Sequence, residues 1–161
     1  GYIGPIPVPI IITLLLLAVS CYLFYKTKFG RYTVSIGSNE EAAKLVGINI
    51  DRIKILVYIL SGVFCAIAGV ILASRSEAAI PTAGNAYEMD AIAATVIGGT
   101  SMSGGKGNML GTALGAILMA TIKNGLSLLN VNTFWHQVVI GLFILFAVAL
   151  DGFAAKKAEK E

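Results

Sequence analysis

The stretch IPVPIIITLLLLAVSCYLFY, residues 6–25, decides the fold class of this 161-residue chain because it contains no charged residue. As an α-helix it would rise roughly 1.5 Å per residue, which is enough to cross a hydrocarbon layer about 30 Å thick. A second uncharged run, ILVYILSGVFCAIAGVILAS at residues 55–74, is just as long. Two runs of this kind predict a membrane protein.

The composition favours the same class. Hydrophobic residues make up 57% of the chain and charged residues 13%, about half of the usual charged share. Disordered segments, collagen-like fibres and disulfide scaffolds are therefore excluded. The net charge of +3 is too small for a nucleic-acid-binding surface. Both cysteines, Cys21 and Cys65, lie in apolar runs without metal-ligand spacing.

No catalytic pattern is visible in the sequence: a Ser/His/Asp set, a metal-ligand cluster and a pair of carboxylates are all absent. We therefore predict a transport component rather than an enzyme, with no cofactor and no metal. Lys123 is expected to extend to the outer membrane interface. His136 lacks a second histidine or a carboxylate at helical spacing and is expected to be a boundary residue.

Charge placement predicts how the chain threads the membrane. Residues 26–54 contain six basic and three acidic residues, so this loop is predicted to be cytoplasmic. The lysine-rich tail can be cytoplasmic too only if three further crossings follow residues 55–74. We place them at 87–103, 107–122 and 134–150. The prediction for residues 1–161 is an all-α, polytopic membrane helix bundle of about five transmembrane helices, with the N-terminus outside and the C-terminus cytoplasmic.

The cytoplasmic loop contains a short helix of about two turns. Ser38 and Glu41 fit a capping box at its start, and Gly47 fits the left-handed residue that ends it. A helix this short is unstable alone and must pack against something. The local pattern leaves two alternatives open, which are packing against its own subunit and docking into a partner protein.

A glycine-rich segment, GGTSMSGGKG at residues 98–107, resembles a phosphate-binding loop but has the wrong spacing. Thr100 stands where the first glycine is needed, and Gly107 stands where a magnesium-binding Ser or Thr is needed. We therefore predict a tight turn at the cytoplasmic face that binds no nucleotide. Immediately after it, Gly107, Gly111 and Gly115 form a doubled GxxxG pattern, which predicts a flat surface for packing against another helix.

Four segments, read in order, resemble one known family. They are KFGRY at 28–32, IGSNEEAAKLVGI at 36–48, PTAGNAYEMDAIAA at 81–94 and IGGTSMSGG at 97–105. Together they look like the C-terminal half of ribose-type permeases, the membrane subunits of bacterial ABC sugar importers. NGL at 124–126 and FWHQ at 134–137 continue the likeness. Asn130 stands where the family pattern has Gly, and His136 where it has Gln; Asn tolerates the same backbone region as Gly.

The resemblance implies a permease subunit of the bacterial plasma (inner) membrane that carries a monosaccharide by alternating access. Its implied partners are a second permease copy, cytoplasmic ATPase subunits that hydrolyse the ATP, a periplasmic sugar-binding protein and membrane lipid, but no nucleic acid. Glu41, Ala42, Ala43 and Gly47 match the EAAxxxG coupling-helix pattern of such permeases, so the resemblance favours docking of the short helix on the ATPase. The hydroxyl and amide side chains expected to line a sugar pathway are Ser101, Ser103, Thr112 and Asn124.

Three other functions compete with this interpretation. A branched-chain amino-acid permease shares the glycine-rich motif before a GxxxG-like helix, but its site needs provision for charge. Half of a secondary carrier needs ionisable residues in mid-span, and none is evident in the sequence. A structural scaffold without a transport role has no reason to keep a capped docking helix.

Overall fold

The computed structural model describes residues 2–3, 6–76, 82 and 84–158. Their elements are, in order, the strands β1 (Tyr2–Ile3) and β2 (Ile6–Pro7) and the helices α1 (Val8–Lys26), α2 (Lys28–Ser38), α3 (Glu40–Leu45), α4 (Ile50–Ser76), α5 (Tyr87–Ile97), α6 (Met109–Leu128) and α7 (Thr133–Ala158). β1 and β2 form a minimal antiparallel hairpin with Tyr2 opposite Pro7. All other described elements are helices, which confirms the predicted all-α class.

The first compact unit, Gly1–Asn85, contains α1 to α4. α1 starts at Val8, and Pro9 stands in its first turn, where the missing N–H group has no helical partner to lose. Neither α1 nor α4 contains a buried residue. Apolar helices without a buried residue match a lipid environment. The predicted runs 6–25 and 55–74 lie within α1 and α4, apart from residues 6 and 7.

α2 is a helix that the sequence analysis did not predict within the 26–54 loop. It follows α1 after the single residue Thr27, which has an extended backbone (φ −105°, ψ 162°). Gly30 lets the two helices meet at this corner, because a Cβ atom there would lie 1.9 Å from the carbonyl oxygen of Phe24. The loop is thus mainly helical, with α2 leading directly into α3.

The second compact unit, Ala86–Glu161, contains α5, α6 and α7. Its core consists of Ala93 and Ala94 from α5, Met119 from α6 and Ile140 from α7. α5 and α6 approach closely, since a Cβ atom on Gly111 would lie 1.9 Å from the carbonyl oxygen of Gly98.

The predicted glycine strip needs one correction. Gly111 and Gly115 lie on α6 and face α5. Gly107 is not part of the helix, because α6 begins only at Met109, after the capping residue Asn108. The side-chain Oδ1 atom of Asn108 accepts a hydrogen bond from the N–H of Gly111 at 3.0 Å, and this cap fixes the first turn.

The predicted helix 87–103 is wrong over its last six residues, because α5 ends at Ile97. Gly99 has φ +86°, and the N–H groups of Gly99 and Thr100 bond to the carbonyls of Val96 and Thr95, both at 3.0 Å. These two bonds make a Schellman motif, which stops a helix. With 11 residues, α5 is only about 16 Å long, short of a hydrocarbon layer about 30 Å thick.

Three of the described helices, α1, α4 and α6, are long and apolar enough to cross a membrane by length and composition. α7 contains a shorter apolar stretch, Trp135–Ala149. These helices support the predicted polytopic membrane class, while the number of crossings stays a prediction.

Candidate functional site

The short helix α3 starts one residue later than predicted. Asn39 caps it: its side-chain Oδ1 atom accepts a hydrogen bond from the N–H of Ala42 at 2.9 Å. Ser38 belongs to the last turn of α2, so the predicted capping box of Ser38 and Glu41 is wrong. Ser38 is unavailable as a cap because it is helical and belongs to α2. Asn39 is the first residue with an extended backbone, and Asn caps a helix as well as Ser does.

The end of α3 has the predicted left-handed glycine. Gly47 has φ +81°. The N–H of Ile48 bonds to the carbonyl of Ala43 at 3.1 Å, and the N–H of Gly47 bonds to the carbonyl of Lys44 at 3.0 Å. This pair of bonds is a complete Schellman motif. Both ends of a helix of only six residues are therefore closed by specific hydrogen bonds.

The surface of α3 has one buried and one exposed side. Ala43 is 3% exposed, whereas Leu45 and Val46 are 89% and 76% exposed. Glu41 and Ala42 are exposed as well. Large apolar side chains that project from a capped helix form a surface suited to a protein partner. We call Leu45 and Val46 the apolar tip of α3.

An ion pair connects α3 to α4. Lys54 Nζ lies 2.7 Å from Glu40 Oε1 and 2.8 Å from Oε2, and both side chains are about half exposed. An exposed pair of this kind contributes at most about 1 kcal/mol. Beside it runs an open groove lined by Glu40, Glu41, Lys44, Ile48, Asn49, Ile50 and Asp51. Three of these residues are acidic and one is basic, and one of the acidic residues, Glu40, is already paired with Lys54.

The glycine-rich segment forms the predicted tight turn between α5 and α6. Hydroxyl groups satisfy part of its backbone: Thr100 Oγ1 accepts from the N–H of Asn108 at 3.3 Å, and Ser101 Oγ accepts from the N–H of Ser103 at 3.3 Å. The N–H of Ser101 also bonds to the carbonyl of Lys106 at 3.2 Å. The hydroxyls of Thr100 and Thr112 are 3.5 Å apart. These serines and threonines hold the turn together.

The four side chains expected to line a pathway do not form one group. Ser101 and Ser103 lie in the turn, and Thr112 lies in the first turn of α6. Asn124 is exposed near the other end of α6, about 18 Å from Thr112 along the helix. The structure therefore separates Asn124 from the other three.

An ion pair that the sequence did not reveal lies next to Asn124. Lys123 Nζ on α6 donates to Asp90 Oδ2 in the first turn of α5. The same nitrogen lies 5.4 Å from the centroid of the Tyr87 ring, within range of a cation–π contact. Lys123 thus has a specific partner, while its position at the outer interface stays a prediction. Asp90 and Lys123 each stand at the end of an apolar run, which could have marked them as candidates for pairing. They are 33 positions apart, however, and no local pattern in the sequence connects them.

Two further polar atoms in this unit are buried without a partner among the described residues. They are Asp90 Oδ1 and His136 Nε2. His136 was expected to be a boundary residue, and its neighbour Trp135 is 61% exposed. The imidazole nitrogen, however, is turned away from solvent. Buried polar atoms normally have a hydrogen-bond partner, so these two unpartnered atoms are unusual.

Comparison with known proteins identifies a family for almost the whole chain. Residues 2–148 match the profile of the family described as branched-chain amino acid transport system / permease component. The chain is 50% identical over 151 residues to the ribose import permease protein of Bacillus subtilis (strain 168), covering 94% of this chain and 47% of that protein. It is 45% identical over 153 residues to the xylose transport system permease protein of Escherichia coli (strain K12), covering 95% of this chain and 39% of that protein.

A third relative gives a similar result. The chain is 45% identical over 157 residues to the ribose import permease protein of Haemophilus influenzae, covering 98% of this chain and 49% of that protein. The chain thus spans about half the length, or less, of the curated relatives it matches. No solved structure matches the chain significantly.

Proposed function

We propose that this chain, which belongs to the family of permease components described as branched-chain amino acid transport systems, forms part of the membrane pathway of an ATP-driven sugar importer. The family assignment and the apolar helices α1, α4 and α6 make it a membrane protein. The proposal adds the class of substrate, the partners and the way in which ATP hydrolysis is coupled to transport.

The relatives favour a sugar over an amino acid as the substrate. Although the family description names branched-chain amino acids, the ribose and xylose permeases are 45 to 50% identical to this chain over at least 94% of its length. We therefore propose a monosaccharide related to ribose or xylose. A branched-chain amino acid remains the alternative substrate for the same fold.

The observation that carries the coupling part of the proposal is the apolar tip of α3. Leu45 and Val46, the two large apolar side chains of the helix and its cap, are both exposed, and they project from a helix closed at both ends. We propose that α3 docks in a cleft on an ATPase subunit, with the exposed residues Glu41, Ala42 and Gly47 as coupling residues and the buried Ala43 holding the helix on its own subunit.

The remaining partners follow from the same proposal. A second copy of the permease would complete the pathway, and a periplasmic sugar-binding protein would deliver the substrate in the bacterial inner membrane. ATP hydrolysis would take place in the partner ATPase. Closure of the ATPase would move α3 and shift the helices between inward-facing and outward-facing states. For this to happen, the contacts between α3 and the ATPase must differ in the two states, because a partner shifts an equilibrium only through such differences.

Crosslinking combined with uptake tests this proposal. The complete transporter is assembled with its ATPase and binding protein, and Cys21 and Cys65 are replaced by Ala. An Ala42→Cys variant should crosslink to a cysteine on the rim of the ATPase cleft. A Tyr58→Cys variant is the matched control, because Tyr58 is 78% exposed on the apolar helix α4.

Uptake of labelled ribose or xylose, but not of leucine, is expected. Uptake of leucine alone would replace the sugar with the amino-acid alternative, and absence of the Ala42→Cys crosslink would refute docking.

A further inference from the structure

Three polar side chains lie one helical turn from the apolar core of the second unit. They are Asp90, four residues before Ala94 on α5; Lys123, four residues after Met119 on α6; and His136, four residues before Ile140 on α7. Residues four apart share a helix face. Asp90, Lys123 and His136 therefore lie on the core-facing sides of the three helices, and we call them the polar layer.

One edge of the polar layer can be reached by a small molecule. The side chains of Lys123 and Asp90 are 33% and 22% exposed, and Tyr87 beside them is 53% exposed. A lysine ammonium group has three N–H donors, and the bond to Asp90 uses one of them. The exposed edge thus presents further Lys123 donors, the Oδ2 atom of Asp90 and the ring of Tyr87.

The inner part of the polar layer has unused hydrogen-bonding capacity. Asp90 Oδ1 and His136 Nε2 are buried and unpartnered among the described residues. When the carboxyl group is ionised, Asp90 Oδ1 acts as an acceptor and not as a donor. His136 Nε2 accepts or donates a hydrogen bond according to the tautomer of the imidazole. A hydroxyl group both donates and accepts, so it can satisfy either atom.

The charges of the layer favour a neutral ligand. Asp90 and Lys123 neutralise each other, and Lys123 also faces the Tyr87 ring. A neutral polyhydroxyl compound needs donors and acceptors side by side but no net charge, whereas a zwitterionic amino acid would have to compete with the existing pair for each charge.

We propose that the polar layer, with Tyr87 at its exposed edge, binds hydroxyl groups of the transported monosaccharide. This inference rests on the proposed function, and it assigns the substrate contacts to residues other than the serines and threonines of the glycine turn. Asp90 and Lys123 contact the sugar, and the unpartnered Nε2 atom of His136 offers a further hydrogen-bonding position in the layer.

Protection of a cysteine beside the layer provides a direct test. Met89, next to Asp90, is 51% exposed, and a Met89→Cys variant of the complete transporter lacking Cys21 and Cys65 should react with a maleimide. Saturating ribose or xylose, whichever is transported, should slow this reaction severalfold. Leu114→Cys is the control, because Leu114 is 69% exposed on α6 and lies closer to the glycine turn than to the polar layer. Adding Asp90→Asn and Lys123→Gln together should abolish the protection and lower uptake about tenfold or more, as expected for lost charge-assisted hydrogen bonds.

A charge exchange separates binding from a merely structural ion pair. The double variant Asp90→Lys with Lys123→Asp keeps an ion pair between α5 and α6 but moves the donors and acceptors. Normal assembly with lost sugar protection supports the inference. Restored protection and uptake in the exchanged protein would overturn it, as would absence of protection in a transporter that carries the sugar. If the unaltered transporter carries no sugar at all, the proposed function fails and the inference fails with it.

Discussion

A Cβ atom on Gly115 would lie 2.2 Å from the carbonyl oxygen of Ala94, so α6 and α5 meet backbone to backbone at this point. Ala94 is itself 5% exposed and belongs to the core of the second unit. The contact is part of a flat seam that continues to Gly111 and Gly98. Only glycine lets two helices approach in this way.

Gly115→Ala should therefore force α5 and α6 apart. We expect the free energy of unfolding of the second unit to fall by about 1–3 kcal/mol, the usual cost of inserting a methyl group into a filled interface. The measurement is the thermal midpoint of the purified complete permease in detergent. Gly125→Ala is the matched control on the same helix, because a Cβ atom there meets no atom within 4 Å. Equal midpoints for the two variants would show that the seam does not contribute to stability.

The sequence predicted the helical class and the two long spans because uncharged runs are a property of single segments. Residues 55–74 need no partner to be recognised as a membrane helix. The left-handed residue at Gly47 was predictable for the same reason, since it follows from one glycine after a short helical stretch. Asn130 is similar: Asn tolerates the left-handed region, and this residue has φ +54°.

The errors came from features that depend on a neighbour. Ser38 was assigned to the cap because the sequence did not reveal α2, which includes Ser38 and moves the start of α3 to Asn39. The pairing of Asp90 with Lys123 depends on how α5 packs against α6, which no local pattern contains. α5 was predicted too long because the charge distribution required a crossing here, and that argument did not consider the left-handed backbone of Gly99, which ends the helix.

The corrected cap leads to a prediction with an internal control. Asn39→Ala removes the side-chain acceptor for the N–H of Ala42 and should cost about 1 kcal/mol of local stability. Because a helix of six residues has little other support, uptake driven by the ATPase should fall, while Asn39→Asp should remain near normal. Ser38→Ala should have no comparable effect. Uptake in proteoliposomes decides the point, and the opposite order, with Ser38→Ala the more harmful, would restore Ser38 as the cap.

The proposed orientation predicts which exposed positions are reached from each side of the membrane. Thr82 and Leu45 are both exposed, and the charge distribution places them on opposite sides. On a background without Cys21 and Cys65, an impermeant maleimide should label Thr82→Cys in right-side-out vesicles. It should label Leu45→Cys only in inverted vesicles stripped of ATPase. The reverse pattern would invert the topology, and labelling of both positions from one side would require a different number of crossings between them.

Gly47 gives the sharpest test of the coupling proposal, because its constraint is conformational rather than steric. Its φ of +81° is a backbone region that β-branched residues avoid, yet a Cβ atom there meets no atom within 4 Å. Gly47→Val should therefore cost about 1–2 kcal/mol through backbone strain alone. That strain can be relieved only by changing the Schellman motif that fixes the exit of α3. The permease should still reach the membrane, but sugar uptake and its coupling to ATP hydrolysis should fail.

Gly47→Asn separates this explanation from a general intolerance of side chains at the site. Asn130 occupies the equivalent position after α6: its N–H bonds to the carbonyl of Ser127, and the N–H of Val131 bonds to the carbonyl of Leu126, both at 3.1 Å. This chain thus already uses Asn in a Schellman motif, so Gly47→Asn should retain most of the uptake and the crosslink from Ala42→Cys to the ATPase. If Gly47→Val transports normally while that crosslink fails to form even without the substitution, α3 packs only against its own subunit. If Gly47→Asn is as defective as Gly47→Val, the glycine is needed for close approach of the partner rather than for its backbone angle.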